Sequence, residues 1–555
     1  MKLPAVSLLS LSLSLALQPA LAHKPAVPDV DPQRLSQDVK VLASDEFEGR
    51  GPATAGETKT IDYVVAQLKA AGVQPGGDMK DGKREWTQAV PLARSEIKGA
   101  PQLSVAVKGK AQALTQGEQI AVRAAQDGTT SIDISKAPLV FAGYGVNAPE
   151  RGWDDFKGVD LKGKIAVVLI NDPDFEGGEG DFGGKAMTYY GRWTYKYEEA
   201  ARQGALGLLI VHETEPASYG WATVKNSNTN TMFDVVRDQP ASVHPTLEGW
   251  IQRDYAVQLF KQAGLDFDAL KAQAKTKAFK PVELKGATLS AKYDVDREII
   301  TSHNIVGRID GAKRPDETVV YSAHWDHLGV GQPDAKGDRI YNGAVDNATG
   351  TAALIELGRA FAKAPKPDRS IVFLAVTAEE KGLLGSEYYA SKPLYPLGKT
   401  VAVLNMDALD PHGPARNFTT SGSAKQELLD QLVAKAKTWN LAYVTDPKPE
   451  AGHFFRSDHF PFAKRGVPAI SFGSGNDLMD GGLEAGKKME DAYVADRYHQ
   501  PADQWEADWT FLGMARDLQL LYSVGRDLAD SDAWPNWDAS SEFRAARDKT
   551  AADRK

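Results

Sequence analysis

"ETVV" (residues 317–320) runs without a break into "YSAHWDHLGV" (residues 321–330). The apolar, β-branched run reads as a short buried strand, and it ends by displaying His324, Asp326 and His327. A strand that delivers such groups at its carboxyl end fits an open α/β sheet, whose ligands gather beyond the strand ends. The same should then hold for neighbouring strands. "RSIVFLAVT" (369–377), "TVAVLNM" (400–406) and "VPAISF" (467–472) are apolar runs of the kind buried on both faces of a parallel sheet. "NATGTAALIELGRAFAKA" (347–364) has apolar residues at helical spacing between the first two strands. From about Ile299 onward the alternation predicts a doubly wound, mostly parallel sheet flanked by helices.

The other strand ends answer the first. The second strand leads to Glu379 and Glu380 and the third to Asp407. Asp346, in "NGAVDNATG", stands just ahead of a predicted helix, and His499 lies in the proline-containing "RYHQPAD". Gathered without cations, so many carboxylates would repel one another and raise their own pKa values. Two divalent ions remove the conflict, because three carboxylates and two neutral imidazoles roughly balance two dications and one hydroxide. Mixed nitrogen and oxygen donors suit zinc, with cobalt or manganese as substitutes. The chain has no cysteine, so any metal is held by His, Asp, Glu or backbone oxygen, and disulfides are excluded. His327 reads as a structural or rim residue rather than a ligand, and His303, His412 and His453 as ordinary polar residues.

The rest of the chain frames this unit. A basic "MK" and the apolar "LPAVSLLSLSLSLALQP" precede "ALA", predicting a signal peptide over 1–22 with cleavage after Ala22 and export to the periplasm or the medium. No later run suits a membrane span. A formal net charge of -9 provides no basic field for nucleic acid. At 555 residues the chain calls for more than one folding unit. Residues 31–76 read as two helices, with Asp31 as N-cap and Pro32 at the first helical position. Residues 86–295 read as an inserted, mostly β unit, so the catalytic unit comprises 23–85 and 296–555. Within the insert, "YKYEEAARQGALGLLIVHE" (195–213) predicts a helix and then a strand. The aromatic "TYYGRWTYKY" (188–197) suits core more than a lid. The acidic "DFEGGEGD" (174–181) suits a solvated loop more than a calcium site.

"SAHWDHLG" (322–329), "NGAVDNATGTAALIELGRAF" (342–361), "FLAVTAEEKGLLGSEYY" (373–389), "NMDAL" (405–409) and "YHQPAD" (498–503) together resemble the metal-site segments of the M28 family of co-catalytic zinc peptidases. The resemblance covers about residues 31–80 and 299–525. "VFAGYGVNAPERGWDDFKGVDLKGKIAVVL" (140–169) is similar, mostly in texture, to a protease-associated domain. The M28 resemblance implies two zinc ions, His324 and Asp407 on one, Glu380 and His499 on the other, with Asp346 bridging. It also implies Glu379 as general base, Asp326 as the acceptor orienting His324, Tyr498 as an aid to carbonyl polarisation, and a cis peptide bond after Asp346. The expected activity is hydrolysis of the N-terminal bond of peptide substrates by metal-activated water. Arg456, Asp458 and His459, in "GHFFRSDHFPFAKRGVPAISF" (452–472), are expected to line or support the crevice.

Three alternatives share the pattern. An M20-like carboxypeptidase or deacylase, or a dipeptidase, could use the same metal set, but M20-type enzymes place a lid domain between the fourth ligand and the last histidine, where this chain has little room. A one-zinc glutaminyl cyclase would not need the complete two-metal set. A non-catalytic binding protein on the same fold would be expected to have lost ligands or base. No oligomeric state is read from the sequence.

Overall fold

The computed structural model describes residues 28, 30–422 and 425–554. The predicted signal peptide lies outside the described residues. Among those described, no helix is long and apolar enough to cross a membrane.

The catalytic unit is built on β1 (Val282–Ile309), β2 (Arg314–His324), β3 (Arg369–Val376), β4 (Thr400–Met406), β5 (Asn417–Thr420) and β6 (Ala469–Ser474). β2 lies between β3 and β4, parallel to both, and β4 continues parallel to β6. The edges run the other way: β1 is antiparallel to β3, and β5 to β6. Every residue of β3 and β4 is buried, as strands covered by helices on both faces require. α1 (Pro32–Leu42), α2 (Ala55–Ala71), α3 (Thr349–Lys363) and α5 (Leu512–Asp530) contribute to the core on one face. Tyr389, Ala390 and Phe462 pack on the other. Asp31 caps α1 by accepting from the Gln33 amide at 2.9 Å, with Pro32 in the first turn. α4 (Gly482–Asp496) is the loosest helix, with only Gly486 buried, and it leads to His499.

Residues 102–294, apart from strand Met232–Val235, which pairs with Thr87–Ile97, supply a second sheet with its own core. Ile165–Leu169, Gly207–His212 and Leu247–Gln252 run parallel at its centre. Strands this deeply buried need cover on both sides, and helices Trp193–Arg202, Arg253–Ala263 and Phe267–Ala274 supply part of it. The expected helix and strand of 195–213 are helix Trp193–Arg202 and strand Gly207–His212. Tyr190, Tyr195 and Tyr197 are buried in the insert's cores. The 174–181 loop is tied up by protein groups: Asp174 accepts from the amides of Gly180 and Phe182, while Lys271 and Lys277 pair with Glu176 and Asp181.

The two sheets meet in one strand. β1 pairs with the insert strand Ser131–Phe141 over its first half, with Thr87–Ile97 over residues 295–305, and with β3 at its end. The boundary read near residue 295 is therefore the middle of a continuous strand.

Candidate metal centre

β2 brings His324 to the crevice edge, β3 brings Glu379 and Glu380 one turn beyond its end, and β4 is followed directly by Asp407. Asp346 sits in a short irregular turn ahead of α3, and its bond to Asn347 is cis, the geometry the resemblance implied. Nε2 of His324 lies 3.3 Å from Asp346 Oδ1 and 3.1 Å from Asp407 Oδ1. On the far side of Asp346, His499 Nε2 lies 3.2 Å from Asp346 Oδ2 and 3.2 Å from Glu380 Oε2. Five residues drawn from positions 324 to 499 thus form two acid–imidazole groups that share Asp346.

Of the two roles expected for His327, structural or rim, its burial excludes the rim, and its Nδ1 lies 2.7 Å from Glu380 Oε1 without the orientation of a hydrogen bond. Its ring stands 5.7 Å from that of His499, so the Glu380 carboxylate lies between two imidazoles. Gly343 makes room: its φ is +56°, and a Cβ there would come within 2.6 Å of the His327 ring.

With only protein charges present, the groups perturb one another strongly. Burial disfavours the His324 imidazolium, but Asp407 and Glu379 outweigh it and hold its pKa well above the ordinary value. Burial also opposes the Asp346 charge, yet hydrogen bonds from His324 and His499 keep it well below the usual carboxylate range. Glu379 is pushed well up by burial and by the nearby Asp407 and Glu380. Asp326, fully buried, is pushed up to about 7. Its Oδ1 accepts the Glu379 amide at 3.1 Å, and the His324 Nδ1 lies 3.8 Å from that oxygen and 3.1 Å from the Asp326 carbonyl.

The residues fit divalent cations. Ligand atoms of His324, Asp346 and Asp407 lie within 4.8 Å of one another, as do those of His327, Asp346 and Glu380. Glu380 Oε1, Asp326 Oδ2 and both ring nitrogens of His327 are buried without hydrogen-bond partners. Native proteins rarely leave such atoms unsatisfied, and a cation beside Glu380 would answer that oxygen. Tyr498 is half-exposed and stacks on His499 with ring centroids 4.0 Å apart. Its pKa is raised by burial and by Asp346 and Glu380. His499 and Ala378, the residue before Glu379, hold φ values of +58° and +52°, a region non-glycine residues enter only under surrounding constraint.

Supports invisible to sequence spacing complete the cage. Arg50, fully buried in the turn between α1 and α2, donates to the carbonyls of Trp325 at 2.9 Å, Leu42 at 2.8 Å, Asn342 at 2.5 Å and Gly343 at 2.8 Å. It thereby ties the His324 loop to the Asp346 loop. Burial lowers its pKa to about 10 against the pull of Asp503 and Asp346. Asp503, the last residue of "YHQPAD", accepts the Val345 and Asp346 amides, each at 3.1 Å. Ser322, Asn405 and Ser457 hydrogen-bond in series to Asp407 Oδ2, which accepts from Ser457 at 2.6 Å.

The expected crevice residues of 456–459 separate. Arg456 is exposed and donates to Ser218 of the insert at 3.0 Å. Asp458 and His459 are fully buried, so they support the crevice from beneath instead of lining it. Asp458 accepts from Ser386 at 2.6 Å, and His459 packs edge-on to Phe454, its pKa pushed down to about 3 by burial. His303, His412 and His453 each pair with an acid outside the five-residue cage.

Residues 304–523 match peptidase family M28. That segment is an M28 peptidase segment. Aminopeptidase NAALADL1 of Mus musculus is 38% identical over 116 residues, 20% of this chain and 14% of that protein. A probable zinc metalloprotease of Pyrenophora tritici-repentis is 38% identical over 120 residues, 21% of this chain and 27% of that protein. These matches thus span under a third of either relative. Among solved structures, an aminopeptidase from Aneurinibacillus sp. strain AM-1 aligns over 91% of this chain and 95% of its own, at 18% identity and a TM-score of 0.48. BSAP, a zinc aminopeptidase from Bacillus subtilis, aligns over 93% and 98%, at 18% identity and a TM-score of 0.42. All five cage residues, Glu379 and Asp326 fall inside the M28 segment.

Proposed function

We propose that the chain is an exported, zinc-dependent exopeptidase that removes residues from the free amino end of peptides. His324 and Asp407 would hold one zinc ion, Glu380 and His499 the other, with Asp346 shared. Bound there, the two ions supply Lewis acidity, acidifying a water and polarising the scissile carbonyl. Glu379 takes a proton from the attacking water on its carboxylate and returns it to the leaving amine. Asp326 fixes the loop that carries His324 and, through the Glu379 amide, the start of the turn that carries the base. Tyr498, beside His499, faces the carbonyl side as a hydrogen-bond donor. A substrate α-ammonium is attracted by the acidic cage, which restricts cleavage to the first bond.

The observation that carries this reading is the pair of acid–imidazole groups sharing Asp346, with Glu379 among the carboxylates beside them. The decisive variant is Glu379→Gln. It should keep its zinc, measured by elemental analysis after gel filtration, and lose about 100- to 10,000-fold in turnover of aminoacyl-arylamides. Wild-type-like turnover would remove Glu379 from its role. Peptides with acetylated amino ends should resist cleavage, and their hydrolysis at equal rates would end the exopeptidase assignment.

A further inference from the structure

We propose that His327 is a further ligand of the zinc ion assigned to Glu380 and His499, binding it through Nδ1, so that the two ions are held unequally. The proposal rests on the zinc-peptidase reading above and adds a residue to its cage.

His327 is fully buried, and its Nδ1 lies 2.7 Å from Glu380 Oε1. A ring N–H aimed at that oxygen would make a short hydrogen bond. The orientation is wrong for one, and both atoms are left buried without a partner. Two donor atoms this close, neither bonded to the other, are disposed as neighbours around a third centre. Zinc binds nitrogen and carboxylate oxygen at about 2.0–2.2 Å, which sets neighbouring ligand atoms roughly 3 Å apart. Ligand atoms of His327, Asp346 and Glu380 also lie within 4.8 Å of one another. An ion among them would satisfy Nδ1 and Oε1 together, where protein interiors rarely leave such atoms unmet.

The ring is held where it is. Gly343 clears the space beside it. The His327 amide donates to the Arg50 carbonyl at 3.3 Å, while the Arg50 guanidinium donates to the Gly343 carbonyl at 2.8 Å. Glu380 presents one oxygen to each imidazole, Oε1 to His327 and Oε2 to His499 at 3.2 Å. His499 is partly exposed and follows α4, in which only Gly486 is buried. This ion thus gains a fixed histidine behind it and keeps a looser one at the solvent edge. With Asp346 and Glu380 it has four protein ligands, whereas the ion at His324 and Asp407 has three. Four protein ligands close a zinc site and three leave it open, so the three-ligand ion should be the first to leave under chelation.

The test uses zinc-loaded full-length protein and reads the metal, not turnover. In a crystal structure of that protein, His327 Nδ1 should lie within about 2.5 Å of the ion beside Glu380. Two bound ions with Nδ1 farther than that from both would overturn the proposal and leave the peptidase reading standing. No zinc at either group would overturn both. Against a graded chelator series, elemental analysis should show one zinc lost well before the other. His327→Gln should weaken retention of the slower zinc more than about 100-fold, beyond what loss of an outer partner costs. A smaller loss in that variant, or two zinc ions leaving the wild type together, would overturn the proposal as well.

Discussion

At the scale of single residues, the candidate centre divides into groups that a strand end announces and groups that only the folded chain brings near. His324, Glu379, Glu380 and Asp407 were legible because buried strands must end at the crevice, and polar residues there have few other reasons to appear. Arg50 was not legible. It sits in a glycine-rich turn 275 residues before Trp325, one of its carbonyl partners, and no spacing rule links the two. Asp503 lay inside a quoted motif, but its role is to accept backbone amides, which leaves no side-chain pattern. That His327 packs against Glu380 was not legible, because nothing in the sequence marks Gly343 as the residue that clears space for its ring. Arg50→Met should destabilise the protein by about 3 kcal/mol in urea titration, because four buried carbonyls lose their donor. An unchanged midpoint would show that those carbonyls find other partners. Asp326→Ala should keep the fold but weaken zinc retention about 10- to 100-fold in chelator competition; unaltered retention would leave Asp326 without an orienting role.

At the scale of elements, the insert carries a charged network that ties stability to pH. His244 lies 2.7 Å from Glu248 and 3.1 Å from Asp234, while Arg123 and Arg237 pair with the same two acids. Burial opposes the His244 charge, but Glu248 and Asp234 outweigh it and raise its pKa to about 9. A pKa raised on folding gives stabilisation that is complete below the unfolded value, near 6.5, and fades as pH climbs through the folded one. The melting temperature should therefore fall between pH 7 and pH 9.5, and His244→Gln should flatten that slope. Equal slopes in both proteins would remove His244 as its cause. The sequence could not disclose this network. Arg123 follows strand Ile120–Val122, which pairs with strand Leu247–Gln252 that carries Glu248, while Asp234 comes from strand Met232–Val235, which pairs with Thr87–Ile97, so only the folded chain brings them together.

At the scale of the whole molecule, the insert is fastened to the catalytic unit by ion pairs and by aromatic packing. Glu387 binds Arg237 from the insert at 3.3 Å and Arg465 from its own unit at 2.7 Å, and Lys464 reaches Glu198 at 2.7 Å. Tyr189 packs on Phe460 with ring centroids 5.2 Å apart. Burial opposes the Glu387 charge, but Lys464 and the two arginines bring its pKa down to about 2. A pKa depressed on folding gives stabilisation that is present above the unfolded value, about 4.3, and lost as pH falls toward 2. Glu387→Gln should loosen the seam, raising amide hydrogen exchange in 185–192 and 232–238 while zinc content stays constant. Unchanged exchange there would mean that the aromatic contacts alone hold the units together. How the insert sits on the catalytic unit was the least legible part of the fold, because these contacts join residues more than a hundred positions apart and leave no periodic trace.

The strand Val282–Ile309 has a mechanical consequence. Because one unbroken backbone belongs to both sheets, the insert has no slack tether on which to swing, and rotation about the shared strand would tear ladder bonds in one sheet or the other. Heating should therefore melt both halves in a single calorimetric peak. A shortened chain lacking residues 86–295 would expose a raw sheet edge and tend to aggregate.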